Sequence, residues 1–154
     1  MKDKVMDYQV LIHSIAVSDY TPVYMAGFDE VEASQDLTEF LDKKNQETKI
    51  SSKEDVQVLF LKKNPKIISL VKEWNPKIHL IGFKLLVDVS QEHLIQVARE
   101  SLEKNKADII VANDLTQINA EQHIAYLVEK AKFQTAMSKH EIADLLLEKI
   151  KSYD

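Results

Sequence analysis

Residues 77–114 constrain most strongly what this chain can fold into, because they read as apolar run, amphipathic segment, apolar run. Residues 78–86 are rich in Ile, Leu and Phe, the pattern of a strand buried on both faces. Residues 90–105 carry a helical stripe at Leu94, Val97, Ala98 and Leu102. Ile109, Ile110 and Val111 form a second buried run, which the pattern breaks at Asn113 and Asp114. A strand, a helix and a strand in so short a span make a βαβ unit with parallel strands. Ligands of open parallel sheets bind beyond the carboxyl ends of the strands. Polar residues stand at both of these ends: Lys84 and Asp88 after the first strand, Asn113 and Asp114 after the second.

The rest of the chain has to be read around that unit. Its 154 residues predict one domain, 1–154, with enough chain to bury a core. A composition of 45% hydrophobic and 29% charged residues predicts a globular protein rather than a disordered one. The absence of cysteine excludes disulfides and protein thiolate chemistry. No apolar run is long enough for a membrane span and the start has no signal-peptide core, so a cytoplasmic place and no membrane partner are expected. A net charge of −5 argues against broad nucleic-acid binding but leaves room for a small anion at a local patch. The two glycines, Gly27 and Gly82, are too few and too far apart for a glycine-rich phosphate loop.

Residues 8–17 predict a strand that stops at the turn signal Ser18-Asp19-Tyr20-Thr21-Pro22. Residues 21–55 are acidic and read as an extended flap or lid, with a helix from Ser34 or Asp36 to Lys44 burying Leu37, Phe40 and Leu41. Residues 56–62 predict a strand. Asn64 as N-cap and Pro65 at the first helical position then open a helix that Asn75-Pro76 stops. Residues 123–129 and 133–137 predict two short strands around Lys130-Ala131-Lys132. Ser138-Lys139-His140-Glu141 is a capping box for a last helix that buries Ile142, Leu145, Leu146 and Ile150. The expected fold is a three-layer α/β domain, mainly parallel, with a late antiparallel addition.

Candidate chemistry is sparse. No pair among the five histidines has metal-ligand spacing, so no protein metal site is assigned; His13 and His79 fall in strands and read as packed residues. Lys49 reads either as a solvated lysine or as a point charge for phosphate oxygens, since it lies in the flap. Asp19 is either a turn-former or an acceptor for ribose hydroxyls or a base amine. The helix start at Asn64-Pro65-Lys66-Ile67, beside Lys62 and Lys63, is either an ordinary cap or an anion site. Phe83 follows Gly82 and is either core or a platform for an aromatic ligand that the glycine admits.

Five segments in order resemble bacterial phosphopantothenate–cysteine ligase, most closely its stand-alone streptococcal type. Ile15-Ala16-Val17-Ser18-Asp19-Tyr20 is similar to its Ala-Ala-Val-Ala-Asp-Trp motif, and Lys49-Ile50-Ser51-Ser52 to its Lys-Ile-Lys-Lys segment. Leu61-Lys62-Lys63-Asn64-Pro65-Lys66-Ile67 resembles its Lys-Asn-Pro-Asp-Ile element. Leu80-Ile81-Gly82-Phe83 and Ala107-Asp108-Ile109-Ile110-Val111-Ala112-Asn113-Asp114 match its Val-Gly-Phe strand and its Ala-Asp-Leu-Ile-Val-Ala-Asn-Asp block. The resemblance implies a Rossmann-like fold, a homodimer and a step of coenzyme A synthesis. In that step CTP, with Mg²⁺, converts the carboxylate of 4′-phosphopantothenate to an acyl-cytidylate, and the amine of cysteine then displaces CMP. It further implies that Ala16 and Asp19 hold the cytidine and that Lys49 meets the triphosphate and begins a mobile flap. Pro65, Lys66, Ile67 and Ile68 line the nucleotide site, Phe83 packs at the base, and Asn113, as a second catalytic residue beside Lys49, shapes the floor with Asp114. Ser101 and Asn105 align with lysines of many members, so the nucleotide contacts there are weaker or come from Lys104 or Lys106. The family's first segment, with a glycine-rich loop, has no counterpart here. The chain is therefore expected to be roughly the C-terminal two thirds of such an enzyme, and a non-catalytic nucleotide-binding or interaction remnant is the alternative.

Overall fold

The computed structural model describes residues 1–45 and 54–153. It divides the chain into two compact units: Ala16–Lys66, and Met1–Ile15 together with Ile67–Asp154.

The larger unit begins with the short helix α1 (Lys2–Val5) and strand β1 (Val10–His13). Its remaining elements are α4 (Ile67–Trp74), β4 (His79–Leu86), α5 (Gln91–Asn105), β5 (Ile109–Asp114), β6 (Ala125–Val128), β7 (Phe133–Ala136) and α6 (Lys139–Lys151). The sheet order is β1-β4-β5-β6-β7. β1, β4 and β5 run parallel, as the βαβ reading requires, and β6 and β7 add as an antiparallel hairpin. Alternation along the strands sends side chains to two faces. One face, with Leu80, Ile110, Ala112 and Val128, packs against Val5, Val71, Leu94, Ala98 and Leu102 of α1, α4 and α5. The other, with Ile81, Ile109, Val111 and Leu127, packs against Ile142 and Leu146 of α6. The result is the expected three-layer, Rossmann-like α/β arrangement.

Three local differences have physical causes. The first strand is only Val10–His13, since β4 offers partners to four residues alone: Val10 to His79, Leu11 to Leu80, Ile12 to Ile81 and His13 to Gly82. β5 does not break at Asn113 but runs through Asp114, because Leu85 and Leu86 pair with these two residues and both are buried. Asn64 does not cap α4, and Pro65 lies outside the helix. Asn64 donates its side-chain amide to Ser18 O at 2.9 Å and its N–H to Asp19 O at 2.8 Å, and the helix starts at Ile67. The last helix has its cap as read: Ser138 Oγ accepts from Glu141 N–H at 3.2 Å, while Glu141 Oε2 accepts from the Met137 N–H at 2.7 Å.

The smaller unit is a two-stranded antiparallel sheet of β2 (Tyr20–Gly27) and β3 (Gln57–Lys63), with short helices α2 (Phe28–Ala33) and α3 (Glu39–Asp42). The turn signal at Ser18–Pro22 is therefore also the start of a strand, and Pro22, which has no N–H to donate, sits at a register shift between Pro22 and Tyr24. Phe40 is fully buried and stacks on Phe60 at 4.9 Å and Tyr24 at 6.0 Å between ring centres. Lys43 lies 4.3 Å over the Phe40 ring and pairs with Glu30 at 3.1 Å. Leu37 and Leu41, expected inside, are exposed, because α3 is a single turn and buries only Phe40.

Candidate functional site

In the larger unit the carboxyl ends of β4 and β5 are organised by Asp114. Its carboxylate is 1% exposed and accepts from Val89 N–H (2.8 Å), Asp88 N–H (3.1 Å), Thr116 N–H (2.8 Å) and Thr116 Oγ1 (2.7 Å). The Val89 N–H, then the Thr116 hydroxyl and N–H, hold its carboxyl down to about 2; burial pushes the other way and the Asp88 N–H adds to the lowering. This carboxylate is a fastener: it ties the turn between β4 and α5, where Asp88 takes the left-handed φ of 55°, to the end of β5. Asn113 points to the opposite face and donates Nδ2 to Ile124 O at 2.9 Å.

Phe83 lies on the α6 face of β4, in register with Val111, and is 39% exposed. Leu85 on the same face and Ile12 on β1 are exposed as well, so α6 leaves this part of the sheet uncovered. Gly82 serves the other face. A Cβ there would stand 2.8 Å from Ile68 Cδ1 and 2.8 Å from Ile110 Cδ1. The glycine thus admits α4, through Ile68, rather than making space beside Phe83 for an aromatic ligand. Ile67 and Ile68 form the first turn of α4.

Ser101 and Asn105 lie elsewhere. α5 runs back from the carboxyl end of β4, so its last turn stands at the amino end of β5, opposite Asn113. Asn105 is buried and its carboxamide is engaged by protein: Oδ1 accepts from Ser69 Oγ at 2.7 Å, and Nδ2 donates to Ser101 O at 2.8 Å and Ser101 Oγ at 3.2 Å. Lys72 pairs with Asp108 at 3.0 Å beside this contact. The sequence reading missed this joint between α4 and α5.

In the smaller unit, residues 18–19 and 64–66 meet at one end of the β2–β3 pair, where Tyr20 and Lys63 are partners. The clamp of Asn64 on Ser18 O and Asp19 O brings Lys66 Nζ to 3.4 Å from Asp19 Oδ1. Both side chains are exposed, so this pair contributes little stability and remains available to a ligand. Ala16 and Pro65 are exposed in irregular segments on either side of it. Lys49, with the segment Lys49-Ile50-Ser51-Ser52, lies outside the described residues. Among the described residues no group of three or more His, Asp or Glu side chains is placed to hold a metal ion. Among the described residues no helix is long and apolar enough to cross a membrane.

A family described as DNA/pantothenate metabolism flavoprotein C-terminal domain matches residues 33–153. The coenzyme A biosynthesis bifunctional protein CoaBC of Thermococcus kodakarensis is 36% identical over 126 residues, 80% of this chain and 31% of that protein. The phosphopantothenate–cysteine ligase of Mus musculus is 31% identical over 109 residues, 70% of this chain and 34% of that protein. The chain thus spans 31–34% of the length of the curated relatives it matches. The crystal structure of the DNA/pantothenate metabolism flavoprotein from Streptococcus pneumoniae is 68% identical, with a TM-score of 0.92, over 99% of this chain and 67% of that one.

Proposed function

We propose that this chain, which belongs to the DNA/pantothenate metabolism flavoprotein C-terminal domain family, supplies the nucleotide-binding part of a ligase that joins cysteine to 4′-phosphopantothenate in coenzyme A synthesis. The ligation is driven by CTP. A carboxylate resists amine attack until one of its oxygens becomes a leaving group. The carboxylate oxygen therefore attacks the α-phosphorus of CTP, releasing pyrophosphate and forming the acyl-cytidylate. The cysteine amine then attacks the acyl carbon, CMP leaves, and the amine proton passes to solvent or base.

The observation that carries this reading is the junction of residues 18–19 with 64–66, which joins two of the resembling motifs into one polar corner. Asp19 there offers acceptors to ribose or base groups, and Lys66 offers a cation to phosphate oxygens. Phe83 and Asn113 of the larger unit are assigned to the nucleotide by resemblance alone. Mg²⁺ fits as an ion carried by the nucleotide phosphates, since it keeps several waters and needs only one or two carboxylates. Lys49 is assigned the triphosphate by resemblance alone. The exposed Leu59 and Leu61 of β3 support a homodimer, and the whole is expected in the cytoplasm.

A second reading is a non-catalytic nucleotide-binding or interaction module. Calorimetric titration of the folded protein with CTP and Mg²⁺ separates these readings from none. CTP binding that Asp19→Asn and Lys66→Gln weaken supports nucleotide recognition, and its absence refutes it. Pyrophosphate release that requires phosphopantothenate supports the ligase, whereas CTP binding without release supports the module.

A further inference from the structure

β7 is an outer strand of the five-stranded sheet, and among the described residues no strand lies beyond it. Its pairing with β6 decides which backbone groups are left over. The Glu129 N–H donates to Lys132 O at 2.9 Å, so residues 129 and 132 form a hydrogen-bonded pair. Antiparallel alternation then turns the N–H and C=O groups of Phe133 and Thr135 away from β6. Native proteins commonly blunt such an edge with lysine, proline or a bulge. Phe133-Gln134-Thr135-Ala136 holds no lysine or proline, and its register with β6 is unbroken. The surface beside this edge has a definite chemistry. Phe133 is in register with Val128, so it continues the α5 face of the sheet past the cover that α5 provides. It meets Tyr126 edge-on at 6.0 Å and is 39% exposed. With Ile95 of α5 it floors a groove between α5 and β7. Exposed Glu92, Glu100 and Glu103 line the α5 wall of this groove, against the single cation of Arg99.

We propose that this groove docks an extended, basic segment of a partner protein, which adds to β7 as a further strand. Main-chain bonds to Phe133 and Thr135 supply affinity, as in other strand additions. Side chains on the α5 face of the added strand supply specificity. The stem of a lysine or arginine lies over Phe133 and Ile95 while its charged head reaches Glu92, Glu100 or Glu103. A cation over the Phe133 ring gains further from the ring's negative face. Charge selects this occupant over a second copy of the chain. Antiparallel β7–β7 pairing in one continuous sheet places both α5 helices on the same face, so the two acidic stripes oppose each other across the junction, which is costly. The proposal stands independently of the nucleotide reading above.

The probe is a fluorescein-labelled heptapeptide of alternating Lys and Thr, titrated with the full chain at low salt and read by fluorescence anisotropy. Amide hydrogen exchange is the second readout. The peptide is expected to bind and to slow exchange at Phe133 and Thr135. A peptide of alternating Glu and Thr is expected to bind at least about tenfold more weakly, since it sets like charges together. The Lys–Thr peptide with every second amide methylated, tested in both phases, keeps its charge but is expected to lose about tenfold in the phase that removes the donors facing β7. Glu100→Gln and Glu103→Gln alter exposed side chains and are each expected to weaken the Lys–Thr peptide by up to about fivefold. No binding of that peptide overturns the proposal. Binding that leaves exchange at Phe133 and Thr135 unchanged, or that neither methylated form weakens, overturns strand addition. Equal binding of the acidic peptide, or no effect of the two glutamate variants, overturns the charge selection. A free protein that elutes as a dimer with these two amides already protected gives the groove to a second copy and also overturns it.

Discussion

Gly82→Ala offers a direct measure of how tightly α4 is seated on the sheet. No glycine here has a positive φ, so alanine meets no backbone strain at this position. Alone, the exchange would stabilise by about 0.4–1 kcal/mol through the unfolded chain. The added methyl, however, would stand 2.8 Å from both Ile68 Cδ1 and Ile110 Cδ1. Ordinary carbon contacts are about 3.5–4.0 Å, so the overlap is large and comes from two different elements. Overpacking of this kind costs about 1–3 kcal/mol. The expected net loss is about 1–2 kcal/mol, or about 2–8 °C in melting temperature for a chain of this size. Urea denaturation of the parent, Gly82→Ala, Ile68→Val and the double variant forms the assay. Ile68→Val removes the offending Cδ1. It is expected to destabilise the parent by about 0.5–1.5 kcal/mol, but to cost less, or to stabilise, when alanine occupies position 82. A Gly82→Ala protein as stable as the parent, with strictly additive Ile68→Val, would refute the seating argument.

The Asp114 carboxyl is held down to about 2 in the folded chain against an ordinary 3.8, so its stabilising effect is present above about pH 4 and is lost as pH falls from there through about pH 2. Asp114→Asn is expected to flatten the stability profile in that window, which acid titration followed by circular dichroism reads; an unchanged profile contradicts the fastener role. Lys106 ends α5 with a left-handed φ of 52°, a conformation that favours glycine. Lys106→Gly relieves a left-handed cost of about 1–2 kcal/mol against an entropic loss of about 0.5–1 kcal/mol for glycine, so a net gain of about 0.5–1 kcal/mol is expected by thermal melting, and a lower melting temperature would count against it.

Much of the larger unit was legible because its signals are local. The apolar runs at 78–86 and 109–111, the stripe on α5 and the Ser138 cap each depend on residues close in sequence, and each element appears where its pattern stands. The smaller unit was legible only in part. β2 hides behind a turn signal because its strand character comes from pairing with β3, far along the chain. Asn64 reads as a helix cap by type, but Ser18 and Asp19 compete for it across the fold. Likewise, the polar residues Asn113 and Asp114 suggest the end of a strand, yet burial and cross-strand partners carry the strand through them.

The candidate site divides along the same line. Composition alone excluded thiolate chemistry and a glycine-rich phosphate loop, and the order of motifs alone pointed to the family. Periodicity fixed the βαβ unit. Only the tertiary structure decided which side chains meet: Asp19 with Lys66, Ser69 with Asn105, and Ile68 with the bare backbone of Gly82. Helical and strand patterns arise from neighbours in the chain, where sequence is geometry. Contacts between distant residues depend on the depth and rotation at which whole elements pack, and no local pattern encodes those.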